Sequence, residues 1–285
     1  MYYILFNAKA AGGTGEKTAR KLEEILKGEE LVFKSVHDMD YRSFFAEVDP
    51  EAKVVLVGGD GTLNYFVNDI RRVDVKNEIY FFAGGTGNDF LKDLGLDPEK
   101  GPYNITKYIK NLPSVVVNGQ NWLFINGVGY GIDGYCCEVA DQMHANGKTD
   151  INYAGIAIKG LLGKFKPRDA KITVDGKVYN YKKVWIAATM NGRYYGGGMM
   201  NAPQQDRLNK DHKLTLVVFH KSGALHTLMI FPSIFKGEHV KHTKQVTVME
   251  GHDITVEFSK PCALQIDGET VLNVSDYQAK SYNKK

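Results

Sequence analysis

The sequence has few cysteines, and none of them is spaced for a metal site. Cys136, Cys137 and Cys262 are the three cysteines of the 285-residue chain, and they form no CxxC pair. Such a pattern is typical of a reducing compartment, where thiols stay free. The eight histidines also lack HExxH or other metal spacing, so we expect no zinc site.

Long apolar runs and a strong excess of one charge are also missing. No apolar run approaches the ~18 residues of a membrane-spanning helix. The apolar stretch Tyr2 to Phe6 is too short for a signal peptide and lacks a basic flank. The net charge of +3 is too small to indicate a nucleic-acid partner, but it is compatible with contact to an anionic membrane surface. We therefore predict a cytoplasmic protein without a nucleic-acid partner.

The length predicts two domains, because a chain of 285 residues exceeds the size at which one hydrophobic core stops growing. Charged residues make up 24% and hydrophobic residues 43%, as in ordinary globular proteins. The character of the sequence changes after Pro113, from buried strands alternating with helices to short strands and hairpin turns. We place an α/β domain at 1–113 and a second domain at 114–285.

The first domain is organised around a buried strand that runs into a glycine turn. Val54 to Val57 are consecutive apolar residues, which favours a parallel strand covered on both faces. After the turn, apolar residues recur at helical spacing from Leu63 to Ile70. The predicted unit is therefore strand, glycine turn and helix.

This turn has the chemistry of a phosphate site. Glycines let the backbone approach an anion, and a helix N-terminus offers unpaired N–H groups and a positive dipole end. The predicted phosphate-binding residues are Gly58, Gly59, Gly61 and Thr62. Asp60 would repel a phosphate unless a cation lay between them, so we predict a direct or water-mediated Mg²⁺ contact there. The alternative is a turn that only connects a strand to a helix.

Two further glycine loops follow predicted strands. The strand Tyr2 to Phe6 is followed by a loop from Asn7 to Gly15, and the strand Ile79 to Phe82 is followed by a loop from Ala83 to Phe90. Loops at the carboxyl ends of parallel strands collect ligands, so we expect the three loops to converge on one crevice. In the third loop, Thr86 and Asn88 suit phosphate or ribose. Asp89 suits a metal-bound water or a helix N-cap.

The second domain is predicted to be an antiparallel β-sandwich with two inserted helices. Asn118-Gly119 and Asp175-Gly176 are type I′ turn signals between apolar runs. The helices are predicted at 135–142 and 153–162, and the glycines from 127 to 134 predict a flexible loop. Near the C-terminus, Asp267-Gly268 has the composition of a hairpin turn, but that turn does not explain the next residue, Glu269.

Three segments together closely resemble the diacylglycerol kinase catalytic-domain family, which includes soluble bacterial lipid kinases and the sphingosine and ceramide kinases. These segments are Gly58 to Asn64, Gly85 to Phe90, and Asp267-Gly268-Glu269. The resemblance covers almost the whole chain. It implies a Rossmann-like nucleotide domain, a β-sandwich lipid domain and an active site in the cleft between them.

The resemblance also implies roles for particular residues. The protein would be an ATP-dependent kinase that transfers the γ-phosphoryl group to a lipid hydroxyl, most simply that of diacylglycerol. Glu269 would be the general base and Asp60 would hold the Mg²⁺ network. Nucleotide contacts are expected at Asn7, Gly58, Gly59, Gly61, Thr62, Gly85, Thr86, Asn88 and Asp89. Metal contacts are expected at Asp60, Asp89 and Asp211.

Some positions depart from the family pattern and leave alternatives open. Asn7 is followed by Ala8 rather than proline, Tyr65 stands where glutamate is common, and the acidic cluster around Asp211 lacks one acid and a glycine. A nucleotide-binding regulator that has lost catalysis is therefore one alternative. An enzyme of the NAD kinase type, which also has a Gly-Gly-Asp-Gly loop, is another.

A lipid kinase without a spanning helix must visit the bilayer to reach its substrate. We therefore predict peripheral, salt-sensitive membrane contact, with headgroup contacts at Lys159, Lys164, Lys166 and Arg168. An ordinary solvated face is the alternative for these cations. The sequence does not identify the acceptor lipid, and it leaves a homodimer open.

Overall fold

The computed structural model describes residues 1–8, 13–37, 39–85, 88–148 and 151–282. Two compact units divide the chain, Met1–Asn111 and Leu112–Lys285. Among the described residues, no helix combines the length and apolar character needed to cross a bilayer.

The first unit is a five-stranded sheet with helices, in the strand order β2-β1-β3-β4-β5. The first four strands are parallel and the last is antiparallel to its neighbour. The strands are β1 (Tyr2–Phe6), β2 (Leu31–Ser35), β3 (Lys53–Gly58), β4 (Ile79–Ala83) and β5 (Tyr103–Asn104). The helices are α1 (Gly15–Arg20), α2 (Leu22–Ile25), α3 (Tyr41–Glu47), α4 (Asp60–Asp69), α5 (Asp89–Asp93) and α6 (Thr106–Ile109).

The central strand β3 is buried because both of its faces are covered. Val54, Val55, Leu56 and Val57 are each at most 1% exposed, as their unbroken apolar run predicts. The last helix of this unit, α6, ends at Ile109. Pro113 excludes helical geometry for the residue before it, so the last turn cannot extend to Leu112.

The second unit is an antiparallel β-sandwich, which confirms the predicted fold class of this region. Its ten strands form one sheet with the path β13-β12-β11-β8-β14-β15-β6-β7, to which β9 and β10 are joined through β14. The strands are β6 (Ser114–Val117), β7 (Gln120–Leu123), β8 (Gly127–Gly131), β9 (Arg168–Val174), β10 (Lys177–Val184), β11 (Ile186–Met190), β12 (Leu214–Phe219), β13 (Val246–Gly251), β14 (Asp253–Ile266) and β15 (Glu269–Lys280).

The helices of this unit lie outside the sheet and are longer or more numerous than predicted. They are α7 (Ile132–Ala145), α8 (Tyr153–Lys159) with a π-helical turn at Gly160–Lys164, and α9 (Ala224–Ile230). The 3₁₀ segments Phe231–Lys236 and Glu238–Lys241 follow α9. The sequence prediction missed α9 and the long final strand β15.

The predicted flexible loop from 127 to 134 is wrong. Gly127–Gly131 is the fully buried strand β8, and α7 begins at Ile132. Its glycines are required by close packing rather than by flexibility. A Cβ on Gly129 would lie 2.5 Å from Gln265 Nε2, and a Cβ on Gly134 would lie 2.0 Å from the Ala263 carbonyl oxygen.

Candidate active site

The three glycine loops of the first unit follow neighbouring parallel strands. They begin after Phe6 of β1, Gly58 of β3 and Ala83 of β4, so all three leave the same edge of the sheet. The second and third loops are joined directly, because the Gly84 N–H donates to the Gly58 carbonyl at 2.8 Å. This edge, where the strand order reverses between β1 and β3, is where open α/β sheets bind ligands.

Glycine is needed in each of these loops because another loop atom occupies the space of a side chain. A Cβ on Gly58 would lie 2.5 Å from the side chain of Thr62, and a Cβ on Gly85 would lie 2.9 Å from the Gly59 Cα. In the first loop, a Cβ on Gly15 would lie 1.8 Å from the Asn7 carbonyl oxygen. The Gly85 contact brings the third loop against the second, and the Gly15 contact brings Gly15 against Asn7. Residues 9–12 of the first loop lie outside the described residues.

The N-terminus of α4 lies at this edge without a side-chain cap. Gly59 is the N-cap residue, and no side chain caps the helix. The first N–H groups of a helix have no intrahelical partners and carry the positive end of the dipole. With Gly61 and Thr62 in its first turn, α4 therefore presents the donors that a phosphate group needs.

Asp60 fastens the second loop to the third. Its carboxylate accepts hydrogen bonds from the Asp89 N–H at 2.8 Å and from the Phe90 N–H at 3.2 Å. Asp60 thus supplies the cap that α5 does not receive from its own N-cap residue, Asn88. Asp89 itself is only 5% exposed. The sequence prediction assigned Asp60 to a Mg²⁺ contact and did not anticipate this bond between loops.

Asn88 lines the third loop with a buried polar atom that has no partner among the described residues. Its Nδ2 donates to the Gly85 carbonyl at 3.1 Å. Its Oδ1 is buried, and none of the described residues donates to it. A buried acceptor without a donor is costly, so this atom is a candidate ligand contact. Thr86, the other polar residue predicted in this loop, lies outside the described residues.

The predicted metal ligands do not form a metal cage. No group of three or more His, Cys, Asp or Glu side chains within the described parts of the chain could hold a metal ion. Asp211 is exposed and lies 3.8 Å from Lys213 in an ion pair. Mg²⁺ in phosphotransfer sites is usually held by one or two carboxylates together with substrate phosphates. The described residues therefore fit a Mg²⁺ that enters with a nucleotide better than one that is held by protein alone.

In the second unit, Asp267 organises the turn that presents Glu269. Its carboxylate accepts from three consecutive backbone N–H groups, those of Ile125, Asn126 and Gly127, at 2.6 to 2.9 Å. Asp267 and Gly268 both have positive φ, 48° and 98°, as a type I′ turn requires. The predicted hairpin turn is therefore present, but the sequence did not reveal that Asp267 ties it to β8.

Glu269 is the first residue of β15 and its side chain is exposed to solvent. Its charge contributes to raising the pKa of Cys137 on α7 and of Tyr153 on α8, although burial is the main cause for both groups. Burial raises the pKa of Cys137 to about 12 and that of Cys262 to about 11. These thiols therefore stay protonated and are poor nucleophiles.

A buried acid pair was not predicted from the sequence. The Tyr195 hydroxyl donates to Asp133 Oδ2 at 2.5 Å, and both side chains are buried. Burial raises the pKa of Asp133 to about 7, although the bond from Tyr195 lowers it. Nothing in the local sequence marks this pair, because the two residues are 62 positions apart.

Together, the two units define a class of protein: an α/β unit with glycine-rich loops at the carboxyl ends of its parallel strands, followed by a β-sandwich unit that carries an exposed carboxylate on an Asp-Gly-Glu turn. Residues 1–117 match the sequence model of the diacylglycerol kinase catalytic domain. Residues 126–278 match that of the YegS C-terminal NAD kinase beta sandwich-like domain. The chain therefore belongs to the diacylglycerol kinase catalytic-domain family of lipid kinases.

Individual relatives agree with this family. A Staphylococcus epidermidis protein named "putative lipid kinase" is 31% identical over 247 residues, which cover 83% of this chain and 74% of the relative. The diacylglycerol kinase of Bacillus subtilis is 25% identical over 222 residues, covering 76% and 70%. A crystal structure of a diacylglycerol kinase from Bacillus anthracis is 20% identical and superposes with a TM-score of 0.64, covering 99% and 93%. That superposition shows the fold.

Proposed function

We propose that this protein transfers the γ-phosphoryl group of ATP to the hydroxyl of a membrane lipid, and that the lipid is diacylglycerol. The observation that carries the proposal is the contact between the second and third glycine loops beside the uncapped N-terminus of α4. A kinase family implies ATP as the co-substrate. The choice of diacylglycerol rests on the named activity of the Bacillus subtilis relative.

The phosphate groups of ATP are proposed to bind the N–H groups at Gly59 to Thr62. Gly58 and Gly85 keep the loops close enough for backbone donors to reach the phosphates, and Asn88 Oδ1 accepts from a ribose or adenine donor. A Mg²⁺ that enters with ATP would neutralise phosphate charge, with Asp60 as its protein carboxylate. Charge neutralisation and positioning supply most of the catalysis in this reaction class.

Glu269 is proposed to accept the proton of the lipid alcohol. The alcohol oxygen forms a bond to the γ-phosphorus, the bond from that phosphorus to the ADP oxygen breaks, and the proton moves to a Glu269 carboxylate oxygen. Proton transfer to a positioned carboxylate contributes about 10²- to 10⁴-fold. Exposure of Glu269 in the described chain suits this role, because the acceptor must reach it from solvent or from a membrane surface.

The test is a substrate panel. Purified protein is incubated with radiolabelled ATP and Mg²⁺ in mixed micelles that contain diacylglycerol, sphingosine or ceramide, and with NAD in a parallel reaction. Labelled phosphatidic acid from diacylglycerol alone is expected. Labelled NADP would contradict the proposal and indicate a nucleotide kinase. ATP binding without any labelled product would also contradict it and indicate a regulator that has lost catalysis.

A further inference from the structure

Two short helical segments of the second unit pack side by side and share one core. The segment made of α8 and its π-helical turn (Tyr153–Lys164) contacts α9 (Ala224–Ile230). Ala157 and Leu161 of the first segment and Ile230 of the second belong to one buried cluster. Their inner faces are therefore fully used in the fold.

The outer faces of the same segments are also apolar. Ile158 and Leu162 are 42% and 60% exposed, and Leu225 and Met229 are 72% and 74% exposed. Each pair is spaced four residues apart, so each lies on one face of its helix. We call these four residues the apolar patch. Large side chains this exposed are unfavourable in water, and when they cluster they mark an interaction surface.

The two stretches of sequence that carry the apolar patch have side-chain charges of one sign. Residues 151–168 and 221–237 contain no Asp or Glu, although the chain has 33 acidic residues. The same two stretches contain Lys159, Lys164, Lys166, Arg168, Lys221 and Lys236. Lys159 and Lys164 are exposed. Two helical segments with apolar outer faces, in stretches of sequence that carry cations and no acidic residue, are complementary to an anionic bilayer surface.

Ile158 and Leu162, two residues of the apolar patch, lie on the helical segment that begins near Glu269. Tyr153, the first residue of α8, is close enough to Glu269 and Asp141 for their charges to raise its pKa, after the larger effect of burial. Leu162 is nine residues further along, roughly 14 Å at 1.5 Å per residue. The acidic groups thus lie at one end of the segment, and the apolar patch with its lysines lies towards the other.

We propose that the apolar patch inserts into the interface of an anionic membrane, with Lys159 and Lys164 on lipid phosphate groups. This inference deepens the proposed function, because it states how a lipid kinase reaches its acceptor. Binding itself does not depend on phosphoryl transfer. A surface of this kind holds the protein loosely, since a shallow apolar contact and surface charges each give reversible binding.

The experiment is vesicle sedimentation with the full chain. Vesicles of phosphatidylcholine alone are compared with vesicles that also contain phosphatidylglycerol, at low and high salt. The variants are Leu225→Glu with Met229→Glu, and Lys159→Gln with Lys164→Gln. Val178→Glu is the matched control, because Val178 is 51% exposed on β10 of the same unit. Activity on a monomeric short-chain diacylglycerol is measured in parallel.

The double Glu variant is expected to lose at least about tenfold in vesicle partitioning. The double Gln variant is expected to lose about as much on anionic vesicles and little on neutral ones, and the control to bind like wild type. Unchanged partitioning of the double Glu variant would overturn the proposal. A change in the oligomeric mass of the double Glu variant, with its vesicle binding intact, would also overturn the proposal, because the patch would then be an interface between copies of the chain. Wild-type binding without kinase activity would defeat the proposed function and leave this inference standing.

Discussion

Two aspartates that precede a glycine, Asp60 and Asp267, have the same structural task in this protein. Asp60 accepts from two backbone N–H groups of the third loop, and Asp267 accepts from three at the start of β8. A carboxylate that accepts several backbone N–H groups forms strong, charge-assisted bonds. Each aspartate therefore orders the segment beside a residue with a proposed chemical role, Thr62 in one case and Glu269 in the other.

Asp60→Asn is expected to abolish phosphoryl transfer and also to loosen the third loop. Asparagine keeps one acceptor oxygen, so its NH₂ group would face one of the N–H groups of Asp89 and Phe90. Leaving that donor unpaired costs about 1–3 kcal/mol. Product formation and chemical unfolding are measured together. If the Asp60→Asn enzyme is active but less stable, Asp60 only connects the two loops and has no role in catalysis.

Glu269→Gln is expected to lower kcat by about 10²- to 10⁴-fold with little change in ATP affinity. The amide keeps the size of the side chain but cannot take the proton of the alcohol. Asp276→Asn is the control, since Asp276 is another exposed acid on β15. Steady-state kinetics measures kcat, and ATP titration measures the ATP affinity. A Gln variant that retains more than about a tenth of the wild-type rate contradicts the assignment.

Asp133 is expected to make stability depend on pH. Because burial raises its folded pKa to about 7 from 3.8, the folded protein keeps a proton that the unfolded chain releases. The stabilising contribution is complete below the unfolded pKa and is lost as the pH rises towards about 7, by at most about 4 kcal/mol. Urea unfolding of wild type and Asp133→Asn at about pH 5 and about pH 8 measures this. Parallel changes in the two proteins would exclude Asp133 as the cause.

Among the secondary-structure elements, those that carry the candidate site are held together by glycines at close contacts. The loop after β3 folds back on α4 at Gly58, and β8 lies against Gln265 at Gly129. Neither position has positive φ, so the requirement for glycine comes from packing between elements and not from backbone conformation. A side chain at either place must push a neighbouring element away.

Gly58→Ala is therefore expected to weaken ATP binding by at least about tenfold, because the new methyl group would displace Thr62 and the first turn of α4. The fold should survive, since β3 remains paired on both sides. Gly223→Ala is the control, because a Cβ there meets nothing within 4 Å. Isothermal titration with ATP gives the affinities. If Gly58→Ala and wild type bind ATP with equal affinity, the loop at Gly58 is not part of the phosphate site.

For the protein as a whole, the two proposed ligands belong to different units. The phosphate loops lie in Met1–Asn111, and Glu269 and the apolar patch lie in Leu112–Lys285. Hydrogen exchange should therefore separate them, because a bound ligand suppresses local opening where it binds. ATP is expected to protect 58–62 and 83–85, and anionic vesicles to protect 153–164 and 224–235. Protection by ATP confined to the second unit would contradict the proposed nucleotide site.

The amino-acid sequence by itself determined the fold class and most of the elements. Unbroken apolar runs such as Val54 to Val57 identify buried parallel strands, because such a strand has no polar face. Asn118-Gly119 and Asp175-Gly176 identify hairpins, because type I′ turns need positive φ at both positions. The structure has these strands and turns, with φ of 49° and 76° at the first pair and 48° and 80° at the second. Family membership also followed from short motifs.

Only the tertiary structure decided what individual polar side chains and glycines do. The bonds from Asp60 to the third loop and from Asp267 to β8 join residues 29 to 142 positions apart. No local pattern encodes such pairs. The glycines from 127 to 134 indicated a loop because composition does not show which neighbour fills the space of a missing side chain. The apolar patch was equally hidden, since helical spacing tells which residues share a face, and only packing tells which face is left open to solvent.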